Sequence, residues 1–276
     1  MPARTRPDNP RVSIVIPAKN EAHNLEVLLP DLPEVHETIL VDGNSTDATV
    51  EVARTIRPDL KLVQQTRSGK GNALACGFEA ATGDVIVMFD ADCSADPREI
   101  PRFVDALVAG ADFAKGSRFH AAGGSADITR LRAAGNRALN VIANRMLRAR
   151  YTDLCYGYNA FWADILPDLD LPSTEVSAMD GTMLWGDGFE IETVLNCRTV
   201  AAGLEIVEVP SYELFRVFGD SNLNAVSDGL RVLKTIGTER RRVTRRKAKR
   251  RQEAVERAEE YQSRRGWLRD RHREIA

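Results

Sequence analysis

The chain is poor in cysteine and has no CxxC pair: Cys76, Cys93, Cys155 and Cys197 stand far apart. That spacing argues against a zinc site and supplies no disulfide framework, so a reduced, cytoplasmic setting is expected. No apolar run approaches the ~18 residues that mark a membrane-spanning helix. Residues 1–11 lack the apolar stretch of a secretory signal. Any work on a lipid is therefore expected from the membrane surface or beside another protein. Gly69-Lys70 has the ending of a phosphate-binding loop, but Gln64 stands where that motif needs glycine, which excludes a Walker-type site. No aromatic residue lies within the basic run 240–251, so no nucleic-acid partner is expected.

What is present suits one large α/β domain with an appendage: 276 residues, 43% hydrophobic and 28% charged. The net charge of −2 is uneven, because residues 240–251 hold nine Lys or Arg and no acid. An acidic body with a basic tail places contact with an anionic surface at the tail. Residues 1–10 read as a flexible lead, 11–236 as the folded domain (11–118 and 119–236 as its halves), and 237–276 as a charged helical tail.

β-rich runs alternate with helical spacing through the first half. Strands are expected at Val12–Pro17, Thr38–Val41, Leu60–Gln64, Val85–Phe89 and Asp112–Lys115. Helices are expected at Glu21–Leu29, Thr46–Ile56 (capped by Ser45), Lys70–Ala81 and from Pro97 to Val108. Such alternation implies crossover connections and a mostly parallel sheet with helices on both faces. Beyond it, the pattern predicts a long helix Ile128–Arg150, a strand Asn159–Trp162 and a loop Leu166–Leu184. A helix Phe189–Ala202, a strand Glu205–Pro210 and a helix Leu223–Ile236 complete the domain. In parallel sheets ligands sit at the carboxyl ends of the strands. Those ends carry the polar clusters 17–21, 42–47, 66–71, 90–92 and 116–118.

Asp90-Ala91-Asp92 comes directly after the apolar strand. Carboxylates two apart at an extended strand end share a face and raise each other's pKa. A Mg2+ or Mn2+ ion, completed by water and a ligand diphosphate, removes that penalty. The plainer alternative is helix capping, for which Asp96, before Pro97, is better placed. Asn20 or Glu21 suits a ribose or base, or else a helix start with Asn20 as cap. Asp42 suits a base N–H, or else turn chemistry with Gly43 and Asn44. The turn 67–72 offers N–H groups to phosphate, or is a helix entry. Arg130, Arg132, Arg137, Arg145, Arg148 and Arg150 form a stripe for phosphate or an anionic membrane, or a solvated face.

Taken in order, residues 16–21, 41–49, 69–73, 90–92, 116–118, 153–161, 188–190 and 216–222 resemble the family-2 glycosyltransferases of the GT-A fold. The likeness extends over about 11–236 and is greatest to the dolichyl-phosphate and polyprenyl-phosphate sugar transferases. It implies that Pro17, Asn20, Glu21 and Asp42 hold the nucleoside of a donor. Ala18, Asn44, Lys70 and Ala91 join that donor site. Asp90 and Asp92 hold the metal, and Arg118, Arg132 and Arg216 face phosphate groups. The sequence departs from the pattern at Gly43, often Asp in relatives, at Ser94, often Gln, and at Asn222, often Lys.

The implied reaction is an inverting transfer from a GDP- or UDP-sugar to a polyprenyl phosphate, at the cytoplasmic membrane face. A soluble hydroxyl acceptor is the alternative; it needs a general base, for which Asp187 and Glu190 are the candidates. A sugar nucleotidylyltransferase is disfavoured, because residues 17–24 lack the Gly-rich, Arg-containing loop it needs. A non-catalytic nucleotide-sugar-binding protein remains the reading of another class.

Overall fold

The computed structural model describes residues 4–175, 183–219, 228–245 and 252. It divides into two units, 1–236 and 237–276. In the second, the described residues 237–245 are helical. Most of the expected tail, and positions 223–227 of the expected last helix of the domain, lie outside the described residues.

The first unit is built on a seven-stranded sheet. Its strands are β1 (Val12–Ala18), β2 (Glu37–Asp42), β3 (Lys61–Gln64), β4 (Val85–Met88), β5 (Phe113–Ser117), β7 (Asn159–Trp162) and β8 (Ile206–Pro210). Their order is β3-β2-β1-β4-β7-β5-β8. All run parallel except β7, which is antiparallel to both β4 and β5. A short parallel pair, β6 (Gly124–Ser125) and β9 (Tyr212–Glu213), lies beside it. Successive strand residues point to opposite faces. Ile14, Val15 and Ile16 are all fully buried, as are Val85, Ile86 and Val87, so both faces of the central strands are covered.

The covering helices are α1 (Ala22–Asp31), α2 (Thr49–Ile56), α3 (Lys70–Ala80), α4 (Ile100–Val108), α5 (Arg130–Leu147), α6 (Leu166–Leu169) and α7 (Ile191–Ala202). α3 packs on β1 to β3, and α4 on β5, β7 and β8. The α3 contact is close because position 77 is glycine: a Cβ there would stand 2.3 Å from Val15 Cγ1 and 2.9 Å from Val41 Cγ2. A second, smaller apolar cluster joins Ala143 of α5, Cys197 of α7, Tyr151, Leu154 and Ile236.

Some element ends differ from the sequence reading for identifiable reasons. α2 starts at Thr49 rather than Thr46, and Ser45 does not cap it. Ser45 Oγ instead accepts from Asn20 N–H at 3.0 Å, and the Asp47 carboxylate accepts from Thr49 and Ala22 N–H. The polar turn is thus spent on holding the start of α1. Asn20 does not cap α1 either; it takes a left-handed φ of 58° and accepts from Thr46 N–H at 2.8 Å. Asp96 does cap the turn at Pro97, accepting from Arg98 N–H. α5 is shorter than 128–150: Thr129 caps its start and left-handed Arg148 ends it. The region 166–184 contains α6, and 176–182 lies outside the described residues. Residues 4–10, expected to be loose, include Arg4 and Arg6, which pair with Asp168, Asp164 and Asp112, with Arg6 also over the Trp162 ring.

The Gly77 contact yields a stability prediction. Gly77→Val should lower unfolding stability by about 1–3 kcal/mol or more, the usual cost of overpacking a tight interior. Urea unfolding monitored by circular dichroism measures it; an unchanged midpoint would mean that α3 does not press on β1 and β2 as described.

Candidate active site

The carboxyl ends of β1, β2 and β4 open onto a cavity of about 1400 Å³. Its floor is set by backbone lacing. Gly43 N–H donates to Ala18 C=O at 2.7 Å, and Glu21 N–H to Thr49 Oγ1 at 2.9 Å, fastening the β1–α1 turn to the β2–α2 turn. Pro17, Ala18, Asn20 and Glu21 line the cavity as a result. Asp42 and Asn44 are not among its lining residues. The Asp42 carboxylate accepts from the N–H groups of Asn44 and Ser45 at 3.1 and 3.2 Å, and Asn44 Oδ1 accepts from Gln64 Nε2. Turn chemistry therefore employs both. Gly43 lies under Lys19: a Cβ at position 43 would meet Lys19 Cβ at 3.0 Å and Ala18 O at 3.1 Å.

Beyond β4, Asp90 and Asp92 both face the cavity, and each holds a cation. Lys70 Nζ is 2.7 Å from Asp90 Oδ1 and 2.7 Å from Glu192 Oε1. Arg216 Nη2 donates to Asp92 Oδ2 at 2.8 Å, and its Nη1 lies 3.7 Å from Glu21. Ser94 donates from N–H (3.0 Å) and Oγ (2.7 Å) to Asp92 Oδ1. Burial pushes the Asp90 pKa up; Lys70 opposes that, while Asp92 and Glu192 add to it. Glu21 is raised for the same leading reason, against Asn24 and Arg216. Burial alone would lower Lys70, but Asp90 and Glu192 outweigh it, and its pKa is raised.

Gly157 keeps this cluster open. A Cβ at that position would stand 3.2 Å from Asp90 Oδ2, 3.4 Å from Glu192 Oε1 and 3.5 Å from Lys70 Nζ. The space beside the carboxylates is thus one a side chain would fill, and its walls are hard oxygen donors of the type Mg2+ and Mn2+ prefer. Among the described residues no group of three or more His, Cys, Asp or Glu forms a metal cage. An ion held by Asp90 and Asp92 would take its remaining ligands from water and a bound phosphate.

Arg118 and Arg132 also line the cavity. Arg118 is held by Asp153 (2.7 and 3.0 Å) and Glu213 (2.9 Å), over the Tyr156 ring. Burial would lower its pKa, but these two carboxylates raise it. Arg132 pairs with Asp127 at 3.1 Å.

The two acids considered for base duty lie elsewhere. Asp187 is 1% exposed, and Arg67 grips its carboxylate at 2.7 and 2.9 Å. Glu190 turns back to the N–H groups of Gly186 and Gly188 and is not among the lining residues. The acid that reaches the cavity is Glu192, two residues on, which sequence reasoning missed. At the start of α3 the N–H groups of Gly71 and Asn72 are taken up by Asp187 C=O, at 2.7 and 3.2 Å. Gly69 and Gly71 allow that approach, since a Cβ on either would fall 2.1 Å or less from a carbonyl oxygen of loop 186–187.

The Arg67–Asp187 pair therefore positions the loop that leads to Glu192. Replacing one partner strands a buried charge, so Asp187→Asn should cost about 3–5 kcal/mol. A denaturant titration showing less than about 1 kcal/mol, the worth of a surface pair, would contradict that role.

Residues 13–169 match the model of glycosyl transferase family 2. Polyprenol monophosphomannose synthase of Mycolicibacterium smegmatis is 32% identical over 235 residues, covering 81% of this chain and 84% of that protein. Undecaprenyl-phosphate mannosyltransferase of Micrococcus luteus is 31% identical over 224 residues, covering 78% and 88%. Among solved structures, Mycobacterium tuberculosis glucosyl-3-phosphoglycerate synthase, in complex with Mn2+, UDP-glucose and phosphoglyceric acid, has a TM-score of 0.64 at 22% identity, covering 84% of this chain and 80% of that one. That likeness concerns the fold. With the mostly parallel sheet and its cavity at the strand ends, the chain belongs to glycosyl transferase family 2 and is a glycosyltransferase of the GT-A fold.

Proposed function

We propose that the protein transfers a hexose, with inversion, from a nucleoside-diphosphate sugar to a polyprenyl phosphate, with Mg2+ or Mn2+ held at Asp90 and Asp92. One observation carries the reading. A single cavity joins the acidic cluster to Arg118 and Arg132, and these to an apolar wall of Ile128, Leu131, Leu139, Ile142, Leu230 and Leu233. A donor diphosphate, an acceptor phosphate and a hydrocarbon chain each find matching chemistry along it. The polyprenyl-phosphate sugar transferases among the relatives support that acceptor class.

Bound at the two aspartates, the ion would supply positive charge to the leaving nucleoside diphosphate. Arg216 and Lys70, paired with the same aspartates, carry further positive charge. Pro17, Ala18, Asn20 and Glu21 border the nucleoside side. Asp42 and Asn44 would act by shaping the turn that backs the base. Arg118 and Arg132 orient the acceptor phosphate. A phosphate oxygen is anionic at neutral pH and attacks without a general base. That suits a site in which Glu21, Asp90, Asp92, Glu192 and Glu213 are each partnered by Lys70, Arg216 or Arg118. Asp187 and Glu190, the acids considered as a base for a hydroxyl acceptor, are both occupied away from the cavity.

No helix among the described residues is long and apolar enough to cross a membrane. We place the enzyme on the cytoplasmic membrane face. Leu131 is 75% exposed and Leu230 63%, both at the apolar mouth. The basic run 240–251 adds attraction to anionic headgroups.

Two experiments test this. Labelled GDP-mannose and UDP-glucose are supplied with Mn2+ and either a short polyprenyl phosphate or the matching polyprenol. Transfer is expected to the phosphate alone and should fall about a hundredfold or more in Asp92→Asn, the scale of losing one electrostatic contact to the transition state. Glu190→Gln should keep its turnover. Equal transfer to the free polyprenol would overturn the acceptor assignment. In flotation, the protein should rise with vesicles containing anionic lipid at low salt and be released by high salt; a protein that stays at the bottom in both argues against membrane docking.

A further inference from the structure

The Lys70 ammonium occupies an unusual position. It lies 2.7 Å from Asp90, which comes after β4, and 2.7 Å from Glu192, in the first turn of α7. These elements are about a hundred residues apart in sequence, and their two like charges meet only because a cation stands between them. The contact is enclosed: the Lys70 side chain is 17% exposed, and Gly157 leaves open the space next to all three groups. Asp90 is also half of the pair assigned above to the divalent ion. Ammonium and ion therefore compete for one carboxylate.

We propose that Lys70 is a built-in placeholder cation. In the donor-free enzyme it neutralises Asp90 and ties it to Glu192. When nucleotide and divalent ion bind together, it releases Asp90 and turns to the donor diphosphate, with Glu192 as its fixed anchor. The inference rests on the donor and metal assignment of the preceding section. A lysine suits the role because its flexible stem carries one compact charge that can be shared among neighbouring acceptors. Arg216 is less free to do this, since it spans Asp92 and Glu21, and Asp92 is further held by Ser94.

The consequence is a coupling between ligands. An ion binding alone sets its charge against the ammonium on Asp90, with no new anion to receive the displaced group. With a diphosphate present, the displaced charge gains a partner. Ion and nucleotide should strengthen each other's binding, and by linkage the effect must be reciprocal. Glu192 is here a positioning residue, acting through Lys70.

Mn2+ binding, followed by the loss of the free-ion electron paramagnetic resonance signal, tests this with no turnover involved. The wild type is compared with Lys70→Met, Lys70→Gln and Lys70→Arg, each without nucleotide, with GDP and with UDP. Lys70→Met should bind Mn2+ alone about tenfold or more tightly than the wild type, because a like charge a few ångströms from the ion is gone. Its gain from nucleotide should shrink correspondingly. Lys70→Gln, which keeps a donor for Glu192, should behave likewise and serves if the Met variant does not fold; Lys70→Arg should resemble the wild type. If the neutral variants bind Mn2+ alone no better than the wild type, while nucleotide still promotes binding to the wild type, the placeholder role is refuted and the donor assignment stands. If the wild type binds no Mn2+ with either nucleotide, the metal assignment fails and the inference with it.

Discussion

Acidic side chains from three separate parts of the chain converge on one cavity: Glu21 after β1, Asp90 and Asp92 after β4, and Glu192 in α7. Such a gathering raises the free energy of every charged member unless cations are interleaved. Here Lys70 and Arg216 do so, each bridging two acids. The rest of the site depends on that arrangement. Gly157 must lack a side chain to leave room, and loop 183–190 must press on α3 to bring Glu192 within reach. Gly69, Gly71 and the buried Arg67–Asp187 pair make that pressing close. A site organised around exchangeable cations is prepared for a substrate that arrives as a diphosphate with its own counter-ion.

The sheet serves this by topology. Parallel strands β1, β2 and β4 bring their carboxyl ends to one edge, so turns far apart in sequence share a rim. The reversed strand β7 inserts beside β4, and the segment leading into it delivers Asp153, Tyr156 and Gly157 to the same cavity region. Arg118, at the end of β5, is then fixed between Asp153 and Glu213. α5 and residues 230–233 add the apolar lining of the cavity.

Much of this is legible in the amino-acid pattern, because uninterrupted apolar runs such as Val85–Met88 mark buried parallel strands, and the polar residues just after them mark the ligand edge. Asp90, Asp92 and Lys70 are recognisable on that basis and by family resemblance, and they do meet in one cavity. Less visible is anything set by tertiary partners. The orientation of β7 depends on the crossover before it, not on Asn-Ala-Phe-Trp itself. Ser45 and Asn20 have the chemistry of helix caps, but the neighbouring turn uses them instead. Glu190 and Glu192 are equivalent as sequence; only the direction of α7 decides that the second faces Lys70. Gly157 carries no local signal, since its meaning lies in the three side chains around it.

Asp90, which holds Lys70, is on this account the carboxylate that exchanges its cation for a divalent ion carried with a nucleoside diphosphate. Anomalous diffraction from a crystal grown with Mn2+ and GDP or UDP tests it most directly. A manganese peak is expected in contact with Asp90 or Asp92 and with the diphosphate, and the Lys70 ammonium no longer on Asp90. Manganese found away from both aspartates, with Lys70 and Arg216 still in place on them, would contradict it.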